Sequence, residues 1–418
     1  MIFALKNKLI DKISYGYAFI GNTIYSLCQY GILLILIKTY SEDDVGAFIY
    51  ALAFVTPIFA ALDMQLRYFY ITDKNGKQRF NQYLTFRTLT NIVGIIIVVI
   101  LILVAKREIY NIIIVVAFSK VIESQIDLVH GVYHKESRQD LIAISKLFRG
   151  ISSIVVVLIC SIFIKNITGI LIVYLLVWCL FYIIYERKLL IKRNFVAKIS
   201  FTSLSKNDWR SFLILGGPVF FTLLLNNYYF NYPRLFIEKK IGLSELSIFG
   251  ALMYIKNIGG QVVSSVAQVQ IVSLANSYIN ERYKEFVLKV FRLVVFGFSA
   301  GLILLIPFLF WGDTILKVIY TETYSKYNDI LILILIGTAF SFSYNLIGTA
   351  ITSMRIDWVK LPIHIIGFAT LFLLLWINGH ETINLSKICY VIITNEILML
   401  VMYLTVIIYK LYKESKSK

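Results

Sequence analysis

A chain of 418 residues that is 59% hydrophobic and 16% charged, with only 5 prolines and a mean hydropathy of +0.77, is not a soluble globular protein. Its formal net charge of +17 needs no nucleic acid to explain it, because membrane proteins concentrate lysine and arginine in their cytoplasmic loops, against anionic lipid. Direct use of ATP is excluded too, since no glycine-rich phosphate loop is present.

Apolar runs long enough to cross a hydrocarbon core of about 30 Å predict twelve transmembrane helices: 14–37, 45–65, 88–105, 109–131, 144–164, 168–186, 211–231, 246–270, 289–311, 329–352, 361–378 and 388–409. The polar start, with Lys6 and Lys8, runs into the first helix without a small-residue cleavage site, so no signal peptide is expected. The fold class is therefore an all-α polytopic membrane protein, in two six-helix lobes, residues 1–206 and 207–418, joined through the basic stretch Arg187–Arg210. Of the 41 lysines and arginines, 29 fall in the termini and one set of alternate loops and 10, including Lys106 and Arg107, in the other. That bias predicts cytoplasmic termini.

In the first helix Tyr15, Asn22 and Gln29 repeat every seven residues on one face, and Tyr25 lies among them. The second helix ends at Asp63, near the cytoplasmic edge, where a solvated cap is expected. The fourth carries Lys120, Glu123, Asp127 and His130, whose spacing puts them on one face. Three full charges near mid-bilayer cost roughly 8–10 kcal/mol, while the apolar residues of that helix return only about 4–7 kcal/mol. The stripe therefore needs charged partners or a wet cavity. Two readings stand: a Lys120–Glu123 salt bridge that fixes packing, or a solvated lumen in which Lys120 meets an anionic substrate and Glu123 or Asp127 carries a proton. Asp127, His130 and His134 also have ligand-like spacing, but the chain has 4 histidines and no second His or Cys cluster, so neither a metal nor a cofactor is expected.

The seventh helix carries Pro218, Asn226, Asn227 and Tyr229, and the eighth has Lys256 about halfway across, followed by Gly259, Gly260, Gln261, Ser264 and Gln268. Glu396 lies in the twelfth. Gly297-Phe298-Ser299-Ala300-Gly301 matches a hydrolase elbow pattern, yet it falls inside the ninth helix, where small residues permit close packing. No catalytic residue is expected. Cys28, Cys160, Cys179 and Cys389 all fall in predicted helices and form no C-x-x-C, so they read as packing residues. The turns Ser41-Glu42-Asp43-Asp44 and Ser244-Glu245-Leu246-Ser247 follow the first and seventh helices and suggest a six-plus-six repeat.

Three stretches resemble the multidrug/oligosaccharidyl-lipid/polysaccharide exporter superfamily, most closely its polysaccharide (Wzx-type, O-antigen) flippase branch. The first is Tyr40-Ser41-Glu42-Asp43-Asp44-Val45-Gly46 with Leu62-Asp63-Met64-Gln65-Leu66-Arg67, where Asp63 stands at the family's glycine. The second is Arg234-Leu235-Phe236-Ile237-Glu238-Lys239-Lys240-Ile241-Gly242, preceded by Pro233 where an acid is usual and followed by Phe249-Gly250-Ala251-Leu252. The third, Gly312-Asp313-Thr314-Ile315-Leu316-Lys317-Val318-Ile319-Tyr320 with Tyr324, looks like the family's outer turn between helices 9 and 10.

The resemblance implies a bundle around a central cationic cavity in the bacterial inner membrane. Its expected work is to flip an undecaprenyl-diphosphate-linked oligosaccharide, an O-antigen or related surface polysaccharide repeat unit, by alternating access coupled to an ion gradient. A polysaccharide polymerase and a chain-length regulator are the implied partners, beside membrane lipids. On that reading Lys120, Lys256 and Arg234 hold the diphosphate, Asn22, Tyr25, Gln29, Asn226 and Gln261 contact substrate, and Glu123, Asp127 and Glu396 are the proton candidates. A drug or cation antiporter of the same superfamily is the alternative, but it needs acids without lysines beside them. A membrane-embedded glycan polymerase or transferase, from a different class, would carry large extracytoplasmic loops, which this chain lacks.

Overall fold

The computed structural model describes residues 2–105, 109–193, 195, 199–200, 204–379 and 383–416, and the side chains of these except 2–15, 18, 19, 105 and 415. Lys106, Arg107 and Lys198, and the side chains of Lys6, Lys8, Lys12 and Tyr15, lie outside this set.

The elements in chain order are α1 (Ile2–Thr39), α2 (Glu42–Asp63), α3 (Leu66–Thr72), α4 (Phe80–Ala105), α5 (Tyr110–Lys135), α6 (Gln139–Phe163) and α7 (Ile167–Phe181). A π turn (Tyr182–Glu186) leads into α8 (Arg187–Lys192). Then follow α9 (Lys206–Lys240), α10 (Leu243–Ile279), α11 (Tyr283–Ile319), α12 (Glu322–Ser325), α13 (Asn328–Ser353), α14 (Lys360–Asn378) and α15 (Leu385–Lys416). Among the described residues every regular element is helical. Lipid offers a backbone group no partner, and helices satisfy these groups internally.

Eleven of these helices are long and apolar enough to cross a membrane. The segment expected at 109–131 is α5, a continuous helix of 26 residues. Its charges, not its length, keep it out of that set, so twelve spans are not reached on apolarity alone. The helices also outrun their apolar cores. α4 begins at Phe80 rather than 88, and α9 and α10 each gain polar turns at both ends. Hydropathy marks what lipid can cover, whereas the helix continues for as long as charged residues of good helix propensity allow.

Three local expectations are corrected. Arg187–Lys192 is helical, so the basic connection begins later than Arg187. Gly312–Ile319 is the last part of α11, bent at Trp311, four residues after Pro307, which cannot complete the helical ladder; it is not an outer turn. The two supposed repeat turns also differ. Ser41 caps α2, its hydroxyl accepting from the Asp44 N–H at 3.2 Å, whereas α10 is entered through Gly242 at φ 135°, and Ser244 lies inside the helix.

The chain forms two compact units, Met1–Asn227 and Tyr228–Lys418, with the division falling inside α9. In the first, α1 packs along α6, and α5 lies against α2, α4 and α7. In the second, α13 is the hub, packed on α10, α11 and α15. The α11–α13 contact explains the glycine pair. A Cβ on Gly297 would come within 2.9 Å of the Phe342 and Ser343 backbone, and Gly301 abuts Ala339 as closely. The Ser343 hydroxyl donates to the Val294 carbonyl across the same seam at 3.1 Å. Gly297→Ala should therefore lower the thermal unfolding midpoint in detergent, in line with an overpacking cost of about 1–3 kcal/mol. An unchanged midpoint would show that the seam can part freely.

Candidate functional site

In the first unit the charged stripe of α5 is surrounded by partners that hydropathy does not reveal. Lys120 Nζ donates to Glu123 Oε2 at 2.8 Å. Asp127 accepts from Arg67 of α3 at 3.0 Å, and the other arm of that guanidinium lies 3.5 Å from His134 Nδ1. Arg67 is placed by an unusual backbone: Met64 and Gln65, between α2 and α3, are both left-handed, at φ 47° and 52°. Non-glycine residues take that conformation at a cost of order 1–3 kcal/mol each. The break lets α3 leave the line of α2 and bring Arg67 to α5.

Asp63 is not the solvated cap expected of it. It pairs with Arg87 of α4, whose side chain has 0% exposure and also donates to the Ser124 hydroxyl at 3.1 Å. Arg87 therefore belongs to the buried network of the first unit and not to a cytoplasmic loop.

The polar face of α1 turns toward α6 and α7. Lys146 donates to Asn22 Oδ1, and the Tyr174 hydroxyl donates to Gln29 Oε1 at 2.9 Å. The Arg149 guanidinium sits between two rings, 4.6 Å from the centroid of Tyr25 and 4.6 Å from that of Trp178. It is only 3% exposed, and its Nε and one Nη find no hydrogen-bond partner among the described residues. Cation–π contacts favour a flat guanidinium here, while unsatisfied buried donors are costly. Arg149 and Lys146 both act electrostatically on Glu123, and Lys146 also feels Arg67 and Asp127. One neighbourhood thus holds four cations, Arg67, Lys120, Lys146 and Arg149, against two carboxylates, Glu123 and Asp127. That surplus of positive charge suits an anion.

In the second unit Lys256 of α10 donates to Glu396 of α15 at 3.3 Å. Glu396 is 3% exposed, and its second oxygen has no hydrogen-bond partner among the described residues. Beside it, Asn395 donates to the Tyr229 hydroxyl at 3.0 Å and accepts from Thr370 at 2.7 Å. Arg234 donates to Asn231 Oδ1 at 3.0 Å, with its Nε buried. Asn226 is half-buried, and Gln261 is exposed on α10.

The structure therefore brings Asn22, Tyr25, Gln29, Lys120, Glu123 and Asp127 into one neighbourhood, and pairs Lys256 with Glu396. Sequence reasoning missed Arg67, Arg87, Lys146 and Arg149 as site residues because they lay in stretches assigned to cytoplasmic loops. Lys146 and Arg149 do fall within the helix predicted at 144–164, and their spacing of three there was the available signal.

No family model matches the chain. It is 27% identical over 338 residues, covering 81% of this chain and 84% of the relative, to the capsular polysaccharide biosynthesis protein CapF of Staphylococcus aureus. Among solved structures, a multidrug resistance MATE family transporter of the MOP superfamily, in an inward-facing conformation, superposes with a TM-score of 0.74 at 13% identity over 95% of this chain and 96% of its own. The lipid II flippase MurJ, in an inward closed conformation, gives a TM-score of 0.75 at 14% identity over 93% and 86%. The chain is thus a multi-pass, all-helical membrane protein with the fold these transporters share.

Proposed function

We propose that the protein flips a lipid-diphosphate-linked oligosaccharide, a repeat unit of a surface polysaccharide, across the bacterial inner membrane by alternating access. The observation that carries this reading is the excess of intramembrane cations around Lys120, Lys146 and Arg149. Such charge is expensive in lipid and marks a substrate path, and its sign selects an anion over a cationic drug. The likeness to a capsular polysaccharide biosynthesis protein supports a glycan, and the fold supports transport over polymerisation or transfer.

The lysines do not wait free. Each is held by a carboxylate, Lys120 by Glu123 and Lys256 by Glu396. An arriving diphosphate can take the lysine if the carboxylate is neutralised by a proton, and a proton held there is released when the pair reforms. This makes Glu123 and Glu396, with Asp127 beside Arg67, the groups through which an ion gradient enters the cycle. Asn22, Tyr25 and Gln29 lie next to the cations and offer hydroxyl-bonding groups and an aromatic face to the sugars. Arg234, Asn226 and Gln261 remain candidate contacts along the path in this scheme.

Complementation tests it directly. In a strain lacking its own polysaccharide flippase but carrying the cognate glycan genes, wild type should restore surface glycan, and Lys120→Ala and Lys256→Ala should each lose it at matched membrane abundance. Full activity in both variants would overturn the diphosphate assignment. Failure of wild type to rescue, despite stable insertion, would favour the antiporter.

A further inference from the structure

A second buried network, apart from the lysine pairs, joins α5, α6 and the π turn. Glu186 is 0% exposed. Its Oε2 accepts from the Tyr133 hydroxyl at 2.8 Å, and its Oε1 contacts the Ser145 hydroxyl and lies 3.6 Å from His130 Nε2. His130 is 2% exposed, and its Nε2 is 2.9 Å from the same Ser145 oxygen. Among the described residues no lysine or arginine forms a salt bridge with Glu186. The residue sits in a π-helical turn, a distortion found frequently at functional sites.

Proton counting gives this trio two forms. If Ser145 donates to an ionised Glu186, its oxygen can only accept from His130 Nε2–H, and the network has one uncompensated negative charge. Adding one proton gives an imidazolium beside a carboxylate, or a neutral Glu186 donating to Ser145, which then donates to His130 Nε2 while Nδ1 carries the hydrogen. Both are neutral overall and keep every hydrogen bond of the trio. A buried lone carboxylate is costly, so the site gains by taking the proton.

The surroundings modulate this without replacing it. Arg149 of α6 and Arg67 of α3 act on His130. Arg187 of α8 acts with Glu186 on Tyr182. Arg193 lies 6.0 Å over the Tyr133 ring and pairs with Glu136. On α5 itself Asp127 and His134 face Arg67, and Arg87 of α4 is engaged with Asp63 of α2.

We propose that His130, Ser145, Glu186 and Tyr133 form a proton-binding site where the π turn meets α5 and α6. This goes beyond the flippase reading and stands without it, because the test uses the purified full-length chain and no substrate. The probe is the proton alone: pH titration of histidine labelled with carbon-13 and nitrogen-15, with His130→Gln assigning the residue among the 4 histidines.

His130 should titrate as a single one-proton step. Glu186→Gln removes the negative charge and should weaken its proton affinity at least about tenfold. Tyr133→Phe removes a donor to the carboxylate and should strengthen it. Should Glu186→Gln fail to accumulate, the Tyr133→Phe shift decides the matter alone. A His130 whose proton is not shared with Glu186 would keep the same midpoint in both variants. That result, or the absence of any His130 titration between about pH 5 and 9, would overturn the site.

Discussion

On the proposed flippase reading, Arg149→Ala should cut translocation of the lipid-linked glycan by about 30-fold to several thousand-fold while the protein still reaches the membrane. The range converts the 2–5 kcal/mol typical of truncating a buried, hydrogen-bonded charge in a binding contact. Two nitrogens of Arg149 lack a partner among the described residues, while two rings hold the plane in place. A guanidinium so clamped has little freedom left to lose when an anion arrives, which favours affinity. Arg149→Lys should be nearly as damaging, because an ammonium keeps the charge but neither stacks nor forks onto two phosphate oxygens. Lipid-linked glycan translocation in proteoliposomes, set against the detergent melting midpoint, separates the two roles. If export falls only in proportion to the melting midpoint, Arg149 is a packing residue.

Arg87→Met should lower stability, and the contrast with its double variant carries the meaning. Removing one partner of a buried pair strands the other and costs about 3–5 kcal/mol, whereas replacing both with apolar groups is often close to neutral. Arg87 is fully buried while the Asp63 it holds is 29% exposed, so the single change removes the countercharge of a half-buried carboxylate and should cost less than a fully buried pair would. Asp63→Ala combined with Arg87→Met should recover most of the loss in membrane abundance and melting midpoint. Equal damage in the single and double variants would show that Arg87 acts through Ser124 or through its bulk.

The fold was legible because its period and length are dictated by lipid. Runs such as 329–352 or 361–378 needed little correction, since the apolar core and the helix nearly coincide there. Legibility failed where charge and helix overlap. Arg87, Lys146 and Arg149 counted toward a cytoplasmic bias, although each is a helical residue of the first unit and two of the three are buried. A positive-inside tally treats arginine as a surface marker, and no local pattern tells it that a carboxylate from another helix waits inside. For the same reason Asp63 read as a cap: its partner lies 24 residues away. On α1 the seven-residue spacing survives any tertiary context, and of that face Asn22 meets Lys146 of α6 and Gln29 meets Tyr174 of α7. Glu186 was invisible, since it was assigned to the end of an apolar helix next to a basic run, and only the π turn swings it into the interior.

The order of synthesis gives the charged helix α5 a route into the bilayer. Alone it returns less from its apolar side chains than its charges cost, so it is a poor candidate for independent release into lipid. Its acidic residue Asp127, however, is met by Arg67 from a segment already made, and Ser124 by Arg87 from the helix just before it. Lys120 and Glu123 neutralise one another within the helix. Everything α5 needs in order to enter therefore precedes it on the ribosome, while its contacts to Ser145 and Glu186 come later. The first unit is thus arranged so that its most heavily charged helix meets partners already in place, the order that docking within the membrane requires.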